Sequence, residues 1–517
     1  MTKQTFLQGT LILILAGMIT RFLGFINRII VARLMGEEGI GLYMMALPTL
    51  FLVYTLSQIG LPIAISKRVA EAEAKGDLAK VKRILVISLV VTGTLSIVFL
   101  VGMILFAPIV AQKFLTDERT LYPLLAISPM VPISAISGVL RGYFQGRQNM
   151  KPQSYAQVIE QIVRISCVAL LVKLFLPYGV EFAAAGAMIS VIIGEFIALL
   201  FMMRMFKLKK RIKLRSKFVT YLKSGKQTLQ ELLSIALPST GSRLVGSLSN
   251  FLEPIVVSQS LAIAGVQTAI ATQQYGLLTG YAIPLLFLPT FITHSLAVAL
   301  VPNISEAEAH NNNKLIHYRI HQAIRISFSS GALATIVLIL FSVPILQFMY
   351  GNSDASRFLV LMAPFFILLY VSYPLNATLQ ALDHAKAAMW NNIIGNFVKF
   401  ALMIVLASNP QFGIMGVAIS LVVGVVLVSL LHMATLIKVI SFKFPLLDVV
   451  KMVTLLVGTW WVGKVLVQMF PSYETNIITF LLLLIILSGI YITFLFVLRF
   501  ITKDELLQIP YLNRFVS

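Results

Sequence analysis

The sequence predicts an all-α integral membrane protein with fourteen transmembrane helices. Three observations carry this prediction: 58% of the 517 residues are hydrophobic, the mean hydropathy is +0.91, and only 12% of the residues are charged. Soluble domains carry about 25% charged residues, so this chain could not cover a soluble surface of its size. Apolar runs of about 18 residues or more recur along the sequence, and each is long enough to cross a hydrocarbon core of about 30 Å.

Hydropathy and helix-breaking residues place the spans along the chain. The predicted ranges are 6–32, 41–65, 84–110, 121–140, 153–176, 182–203, 230–261, 272–301, 326–349, 358–381, 388–408, 412–437, 446–470 and 476–499. Because the number of spans is even, both termini lie on the same side of the membrane.

The charge distribution predicts which side that is. The chain has 41 basic and 20 acidic residues and a net charge of +21. With these spans, the loops on the side of the termini carry a net charge of about +20, the opposite loops about −3 and the spans about +4. Because cytoplasmic loops collect Lys and Arg, we expect a multi-pass protein of the cell membrane with both termini in the cytoplasm. This asymmetry explains the basic balance without a nucleic-acid partner.

An internal repeat relates the two halves of the sequence. Residues 70–77 (AEAEAKGD) and 305–312 (SEAEAHNN) share the motif E-A-E-A at an offset of 235 residues. Arg164 and Lys399 stand at the same offset. Each half contains six spans, so the two repeats are parallel, an arrangement known among transporters.

The repeat predicts five segments. They are an N-lobe with helices 1–6 at 1–206, a basic cytoplasmic linker at 207–228, a C-lobe with helices 7–12 at 229–440, two extra helices at 441–500 and a cytoplasmic tail at 501–517.

Ionisable side chains within the spans are the candidate functional residues, because a charge inside a bilayer is costly. Arg21 and Arg28 lie on one face of the first span, and the sequence has no acidic residue within a turn of either. The seventh span repeats this face with Arg243, Asn250 and Glu253. Two spans related by the repeat therefore carry matching cationic faces.

The fifth and eleventh spans add a second pair of cations, Arg164 and Lys399. Glu160 stands four residues before Arg164, so Arg164 either pairs with this carboxylate or contacts a substrate, and the sequence leaves both readings open. Gly395 occupies the position of Glu160 in the other half. We predict a cavity whose substrate-binding cations are Arg21, Arg28, Arg164, Arg243 and Lys399, with a polar lining of Asn27, Asn250, Asn396, Glu160 and Glu253.

Such a cavity suits an anionic ligand. The arginine guanidinium is always charged and binds two phosphate oxygens at once. Prolines in four spans also predict bends that could take part in transport. These prolines are Pro48, Pro62, Pro129, Pro132, Pro284, Pro289, Pro364 and Pro374.

The sequence contains no motif typical of an enzyme, a metal site or a cofactor site. His317 and His321 are four residues apart, but no Glu follows His317 as in a zinc protease, and a solvated helix is the expected explanation. The single cysteine, Cys167, can form neither an intramolecular disulfide nor a metal cluster of cysteines. We therefore predict no catalytic residue, no metal and no cofactor.

The segment TRFLGFINRIIVARLMG (20–36) resembles the first-helix signature of MurJ-type lipid II flippases, members of the MOP exporter superfamily. The segments GEEGIGLYMMALPT (36–49) and RGYFQGRQNMKP (141–152) extend the resemblance, which covers all fourteen spans and includes sporulation members of the superfamily. The resemblance implies two six-helix lobes around a cationic cavity. It also implies alternating access that moves an undecaprenyl-diphosphate-linked peptidoglycan precursor across the membrane for spore cortex synthesis.

The same resemblance assigns roles to individual parts of the chain. Helices 13 and 14 would form an apolar groove for the lipid tail, and the partners would be membrane lipids and cortex peptidoglycan synthases. Arg21 matches a cavity arginine of the family directly. The next family pair, Arg-Asp, aligns with Asn27 and Arg28, so the arginine is displaced by one position and the acid is absent. The eighth span has no basic residue between Thr272 and Thr293, where the family carries another arginine.

Three alternatives remain open at the level of sequence. They are export of another lipid-linked oligosaccharide or polysaccharide, export of a cationic drug, and a scaffold without transport activity that recruits cortex synthases. A drug exporter would need buried acids, and the positive charge of the spans disfavours it. The cationic faces in both halves disfavour the scaffold.

Overall fold

A computed structural model describes residues 6–209, 225–442 and 445–500, and every regular element in these ranges is a helix. The central part of the predicted linker, 210–224, and the predicted tail, 501–517, lie outside the described residues.

The first half of the chain begins with a long helix, α1 (Phe6–Gln58), which contains the first span and most of the second. Gly36 interrupts it with a φ of 69°, a conformation that glycine adopts without a steric penalty. The following helices are α2 (Leu61–Ala74), α3 (Leu78–Ile109), α4 (Leu121–Ile127), α5 (Met130–Gly146), α6 (Lys151–Phe175) and α7 (Val180–Lys209).

The second half contains the remaining spans. The seventh span is α8 (Lys226–Ile263), and the eighth is broken into α9 (Thr268–Gly276), α10 (Ile283–Phe287) and α11 (Thr290–Ala309), with a bend of 52° before α11. Next come α12 (Asn313–Leu340), α13 (Ser342–Tyr350), α14 (Ser356–Ala381), α15 (Ala385–Ala407) and α16 (Gly413–Ile440). The two extra helices are α17 (Leu446–Met469) and α18 (Ile477–Val497).

The helices agree with the fourteen predicted spans. Ten helical segments of the described chain are long and apolar enough to cross a membrane, and the bent eighth span makes eleven. One of the ten, Ala16–Ala74, holds two predicted spans. The other two spans, α6 and α8, are interrupted by charged side chains, among them Glu160, Arg164 and Arg243. The all-α transmembrane fold class is therefore confirmed.

Some of the predicted bends coincide with helix breaks. Pro62 follows the break at Gly60, Pro129 separates α4 from α5, and Pro289 separates α10 from α11. The prolines inside continuous helices include Pro48, Pro364 and Pro374.

The chain forms two compact units. The first contains the described residues up to Gly280 together with Ser408–Ile414, and the second contains Tyr281–Ala407 and the described residues from Met415 onward. α8 and α9 belong to the first unit because they pack against α1. The lobe boundaries inferred from the repeat remain a prediction.

The internal repeat is visible in the local structure of both halves. The Asp77 side chain caps α3 by accepting a hydrogen bond from the Lys80 backbone N–H at 2.8 Å. The Asn312 side chain caps α12 in the same way, from the Leu315 backbone N–H at 3.1 Å. These two caps follow the E-A-E-A motifs at the predicted offset, so each motif leads into the third span of its half.

Candidate functional site

The cationic face of α1 forms as the sequence predicts. Arg21 and Arg28 are both exposed on this helix, whereas Asn27 beside them is buried, at 6% exposure. Gly24, between the two arginines, faces the Gln161 side chain of α6. α1 therefore presents two arginines from a helix that crosses the membrane.

Arg164 and Glu160 on α6 form the predicted salt bridge. Their side chains are 18% and 14% exposed, so the pair is largely removed from solvent. Gly194 of α7 lets this region pack closely, because a Cβ there would lie 2.9 Å from the Glu160 carbonyl oxygen. The structure therefore shows Arg164 paired with Glu160, and a contact of Arg164 with substrate stays a prediction.

A second ion pair joins the first. Arg141 donates from Nη2 to Glu195 Oε1 at 3.0 Å, and the Glu195 carboxyl group interacts electrostatically with that of Glu160. The predicted fourth span ends at residue 140, which places Arg141 in the loop that follows. The structure corrects this assignment, because α5 continues to Gly146 and holds Arg141 inside the helix. Residues 141 and 195 are 54 positions apart, so no local spacing indicated their pairing.

Tyr43 connects this network with α1. Its side chain is 6% exposed, and its hydroxyl group interacts electrostatically with both Arg28 and Arg164. The positive charges of Arg28 and Arg164 therefore both act on the Tyr43 hydroxyl group, which lies in the first unit. Sequence reasoning missed Tyr43, because a tyrosine in an apolar helix carries no distinguishing signal.

The predicted residues of α8 also lie in the first unit. Arg243 and Asn250 are exposed, and Glu253 is half-buried. Glu253 interacts electrostatically with the hydroxyl group of Tyr275, which is buried at 3% exposure. Arg243 therefore repeats the exposure of Arg21, as the repeat predicts.

Lys399 and Asn396 lie on α15 in the second unit. Lys399 is buried, at 8% exposure, and its Nζ is 4.4 Å from the centre of the Phe400 ring. A Cβ on Gly424 of α16 would lie 3.1 Å from the Lys399 Cβ. In the first unit, a Cβ on Gly194 would lie 3.4 Å from the Arg164 Cβ. In both halves a glycine therefore packs against the cationic residue of the preceding helix.

A close contact joins α1 and α9 within the first unit. A Cβ on Gly41 would overlap the Thr272 carbonyl oxygen, and a Cβ on Gly276 would overlap the Glu37 carbonyl oxygen. The two glycines are related by the 235-residue offset, as are Glu37 and Thr272. The Gln273 side chain donates to Glu37 Oε2 at 2.7 Å, which holds the contact from its edge.

Ionic contacts surround this glycine contact. Arg119 pairs with Glu38 at 2.6 Å and with Asp117 at 2.9 Å. Asp117 Oδ2 also accepts a hydrogen bond from the Thr272 hydroxyl at 2.7 Å. Asp117 and Glu38 hold the Arg119 guanidinium and raise its pKa, so the arginine stays charged at any physiological pH.

The histidines flagged in the sequence have a packing role. His317 and His321 lie against the ring of Phe442, with centroid distances of 5.8 and 4.7 Å. They are half-buried by this aromatic contact rather than solvated. Within the ranges that the structure describes, no group of three or more potential metal ligands comes together.

Comparison with known proteins gives the class of this chain. The sequence profile of the MatE family matches residues 279–405, and that of the polysaccharide biosynthesis protein family matches residues 6–308. Because the latter match covers more than half of the 517 residues, the chain belongs to the polysaccharide biosynthesis protein family.

Individual relatives agree with this class. The chain is 52% identical over 516 residues to the stage V sporulation protein B of Bacillus subtilis (strain 168), an alignment that covers 100% of both chains. It is 27% identical over 431 residues to the lipid II flippase MurJ of the same strain, covering 78% of each. The predicted resemblance to both is therefore confirmed.

Solved structures establish the fold. The inward closed conformation of the lipid II flippase MurJ superposes with a TM-score of 0.66 at 16% identity, covering 92% of this chain and 98% of that one. An inward-facing multidrug resistance MATE transporter of the MOP superfamily gives a TM-score of 0.65 at 17% identity, covering 82% and 94%. The chain therefore shares the fold of these MOP superfamily structures.

Proposed function

We propose that the protein is a flippase that moves a lipid-linked peptidoglycan precursor, a lipid II-like glycolipid carried on undecaprenyl diphosphate, across the cell membrane by alternating access. The observation that carries the proposal is the exposure of Arg21, Arg28 and Arg243 on helices that cross the membrane. Exposed charges at such positions require a polar path, and cations on that path select an anionic ligand. A diphosphate supplies the negative charge and the oxygens that guanidinium groups bind.

The network around Arg164 supports a second contribution to binding. Arg164 is paired with Glu160, and its charge acts with that of Arg28 on the Tyr43 hydroxyl. A diphosphate that approaches Arg28 would therefore compete with the Glu160 carboxylate for Arg164. Arg164 would exchange one anionic partner for the other during transport.

The two extra helices suit the lipid tail. α17 and α18 expose large apolar side chains, including Val457 at 57%, Trp461 at 63% and Ile485 at 66%. An undecaprenyl chain is wholly apolar, so burying it against such a surface is favourable. We therefore assign the tail to these helices and the diphosphate to the cationic residues of the first unit.

Access would alternate through the contact between α1 and α9. Gly41 and Gly276 lie near the ends of spans that face the predicted outer side, and Arg119 strengthens the same region. We infer that this contact closes the outer side while the headgroup enters from the cytoplasm, and that it opens for release.

Two other functions remain as alternatives. The family name, polysaccharide biosynthesis protein, favours a lipid-linked oligosaccharide other than lipid II as the substrate. The high identity to a sporulation protein also fits a scaffold that recruits cortex synthases. The first would use the same cations with a different sugar, whereas the second would not need them.

Complementation tests the proposal and separates it from the scaffold. In a strain that lacks stage V sporulation protein B, we expect the wild-type chain to restore sporulation, and Arg28→Ala and Arg243→Ala to fail at wild-type membrane levels. Lys386→Ala is the control, because Lys386 is an exposed cation in a predicted loop, outside the predicted spans. Full complementation by both arginine variants would contradict the flippase and favour the scaffold.

A further inference from the structure

A cationic pocket lies in the second unit, apart from the residues of the proposed transport site. It is a cavity of about 180 Å³ between α12, α17 and the residues that follow α18. Arg325 of α12, Lys451 of α17 and Arg499 contribute its cationic side chains, and Asp448 is the acidic residue of its lining. The described residues of the lining therefore have a formal charge of +2 when His321, which also lines the pocket, is neutral.

Three cations from three separate segments line this small cavity, and an anion between them would interact favourably with each. The Tyr318 hydroxyl and the Gln322 amide, which also line the cavity, can donate further hydrogen bonds to anionic oxygens.

The size of the pocket restricts the ligand. Pockets that enclose a drug-sized molecule have volumes of about 300–1,000 Å³. At about 180 Å³, this cavity accommodates a phosphate group with its ester oxygens but not a sugar-linked headgroup. The pocket is therefore matched to a phosphate rather than to the transported glycolipid.

The surroundings favour a lipid phosphate over a soluble one. Leu447, Val450 and Val453 on α17 are 64%, 54% and 52% exposed, on the same helical turns as Lys451. A phosphate held by Lys451 can thus continue into acyl chains that lie along the apolar surface of α17. The pocket also lies at the end of α17 and α18 that the charge distribution assigns to the cytoplasm, and basic pockets between helices on that side bind anionic headgroups.

The backbone at Arg499 supports a binding role. Arg499 has a φ of 57° directly after α18, and the backbone N–H groups of Arg499 and Phe500 bond to Phe496 and Leu495 at 3.0 and 2.8 Å. Helices usually end in this way with glycine, because a side chain strains the left-handed conformation. Phe500 stacks on Phe328, which fixes the turn. A strained arginine held at a cavity points to a function for its side chain.

We propose that this pocket binds the phosphate of an anionic membrane lipid, with Arg325, Lys451 and Arg499 around the phosphate and the acyl chains along α17. The phosphate-binding residues of this site are distinct from the cations of the flippase proposal, although both proposals place an apolar chain along α17.

The test is binding of phosphatidylglycerol to the full-length purified protein in neutral detergent, counted by native mass spectrometry over a range of lipid concentrations. We expect Arg499→Gly to weaken binding at least tenfold while the melting temperature stays the same or rises, since glycine relieves the strained turn. Asp448→Asn should tighten binding, because it raises the formal charge of the pocket to +3. Because Asp448→Asn is expected to bind more tightly, it keeps the test decisive even if Arg499→Gly folds poorly.

Matched controls and a soluble competitor complete the experiment. Gln148→Gly relieves the backbone strain of another residue in the left-handed conformation, at a φ of 55°. Lys438→Gln removes an exposed cation from the end of α16. Both variants should bind lipid like the wild type. Equal binding by Arg499→Gly, Asp448→Asn and wild type would overturn the proposal. Displacement of the lipid by inorganic phosphate at equal concentration would overturn the lipid as the ligand.

Discussion

At the scale of single residues, Arg164 carries the central ambiguity of the site. The structure shows it paired with Glu160, and Glu160 in turn interacts electrostatically with Glu195, which is held by Arg141 at 3.0 Å. Such a closed network can be purely structural. Under the flippase proposal, Arg164 would instead exchange the Glu160 carboxylate for the diphosphate of the substrate.

Glu160→Gln distinguishes the two roles, because it removes the competing charge and keeps the side-chain volume. If Arg164 binds the diphosphate, we expect the affinity for undecaprenyl diphosphate to rise about tenfold, since a hydrogen bond to a charged group contributes about 1.5–3 kcal/mol. Equilibrium binding to the purified protein measures this change, with Glu308→Gln as a control on an exposed acid of α11. An unchanged affinity together with a lower melting temperature would show that Arg164 is structural.

The residue scale also shows where sequence reasoning succeeds. Arg164 and Glu160 were predicted as neighbours because a spacing of four residues places two side chains on one helical face. Arg141 and Glu195 could not be paired in that way, because their contact depends on how α5 packs against α7. The exposure of Arg21 and Arg28 followed from helical periodicity, whereas the burial of Lys399 depends on the packing of α15 against α16.

At the scale of elements, the contact between α1 and α9 is the feature most sensitive to the size of the side chains placed there. Gly41 and Gly276 let two backbones approach each other directly, so no side chain larger than hydrogen fits at either position. The repeat offset relates the two glycines, but their contact required the structure. We infer that the tightness of this contact sets the stability of the state described here.

Gly41→Ala tests that inference. The added Cβ meets the Thr272 backbone and cannot be relieved by rotating a side chain, so we expect a clear fall in the melting temperature of the purified protein. Gly93→Ala on α3 is the control, because a Cβ there has no atom within 4 Å and alanine favours a helix. Equal melting temperatures for the two variants would contradict the tight contact.

At the scale of the whole molecule, the predicted topology divides the charge of +21 into a large part in the loops on one side of the membrane and a small part inside the spans. Hydropathy sufficed to predict the fourteen helices, because each span must bury its backbone within the lipid. Hydropathy predicts the spans α6 and α8 least clearly, because charged side chains interrupt their apolar pattern. Both helices carry residues of the proposed site, so their polarity fits the proposed function.

The predicted orientation can be measured directly. In a Cys167→Ser background, we expect a membrane-impermeant thiol reagent to label Glu474→Cys in intact cells, because its loop is predicted to face outward. Lys386→Cys, in a loop predicted to be cytoplasmic, should react only after the membrane is made permeable. The reverse pattern would place both termini outside and invalidate the charge argument.

Leaflet-resolved movement of lipid II in proteoliposomes tests the central claim most directly. We predict that the wild-type protein and Lys386→Gln transfer the lipid between leaflets. The double variant Arg28→Gln/Arg243→Gln should be slower by about 100-fold, which corresponds to the loss of two charge-assisted contacts of about 1.5 kcal/mol each. Equal rates for the double variant and the wild type would contradict the account, as would failure of the wild-type protein to move the lipid.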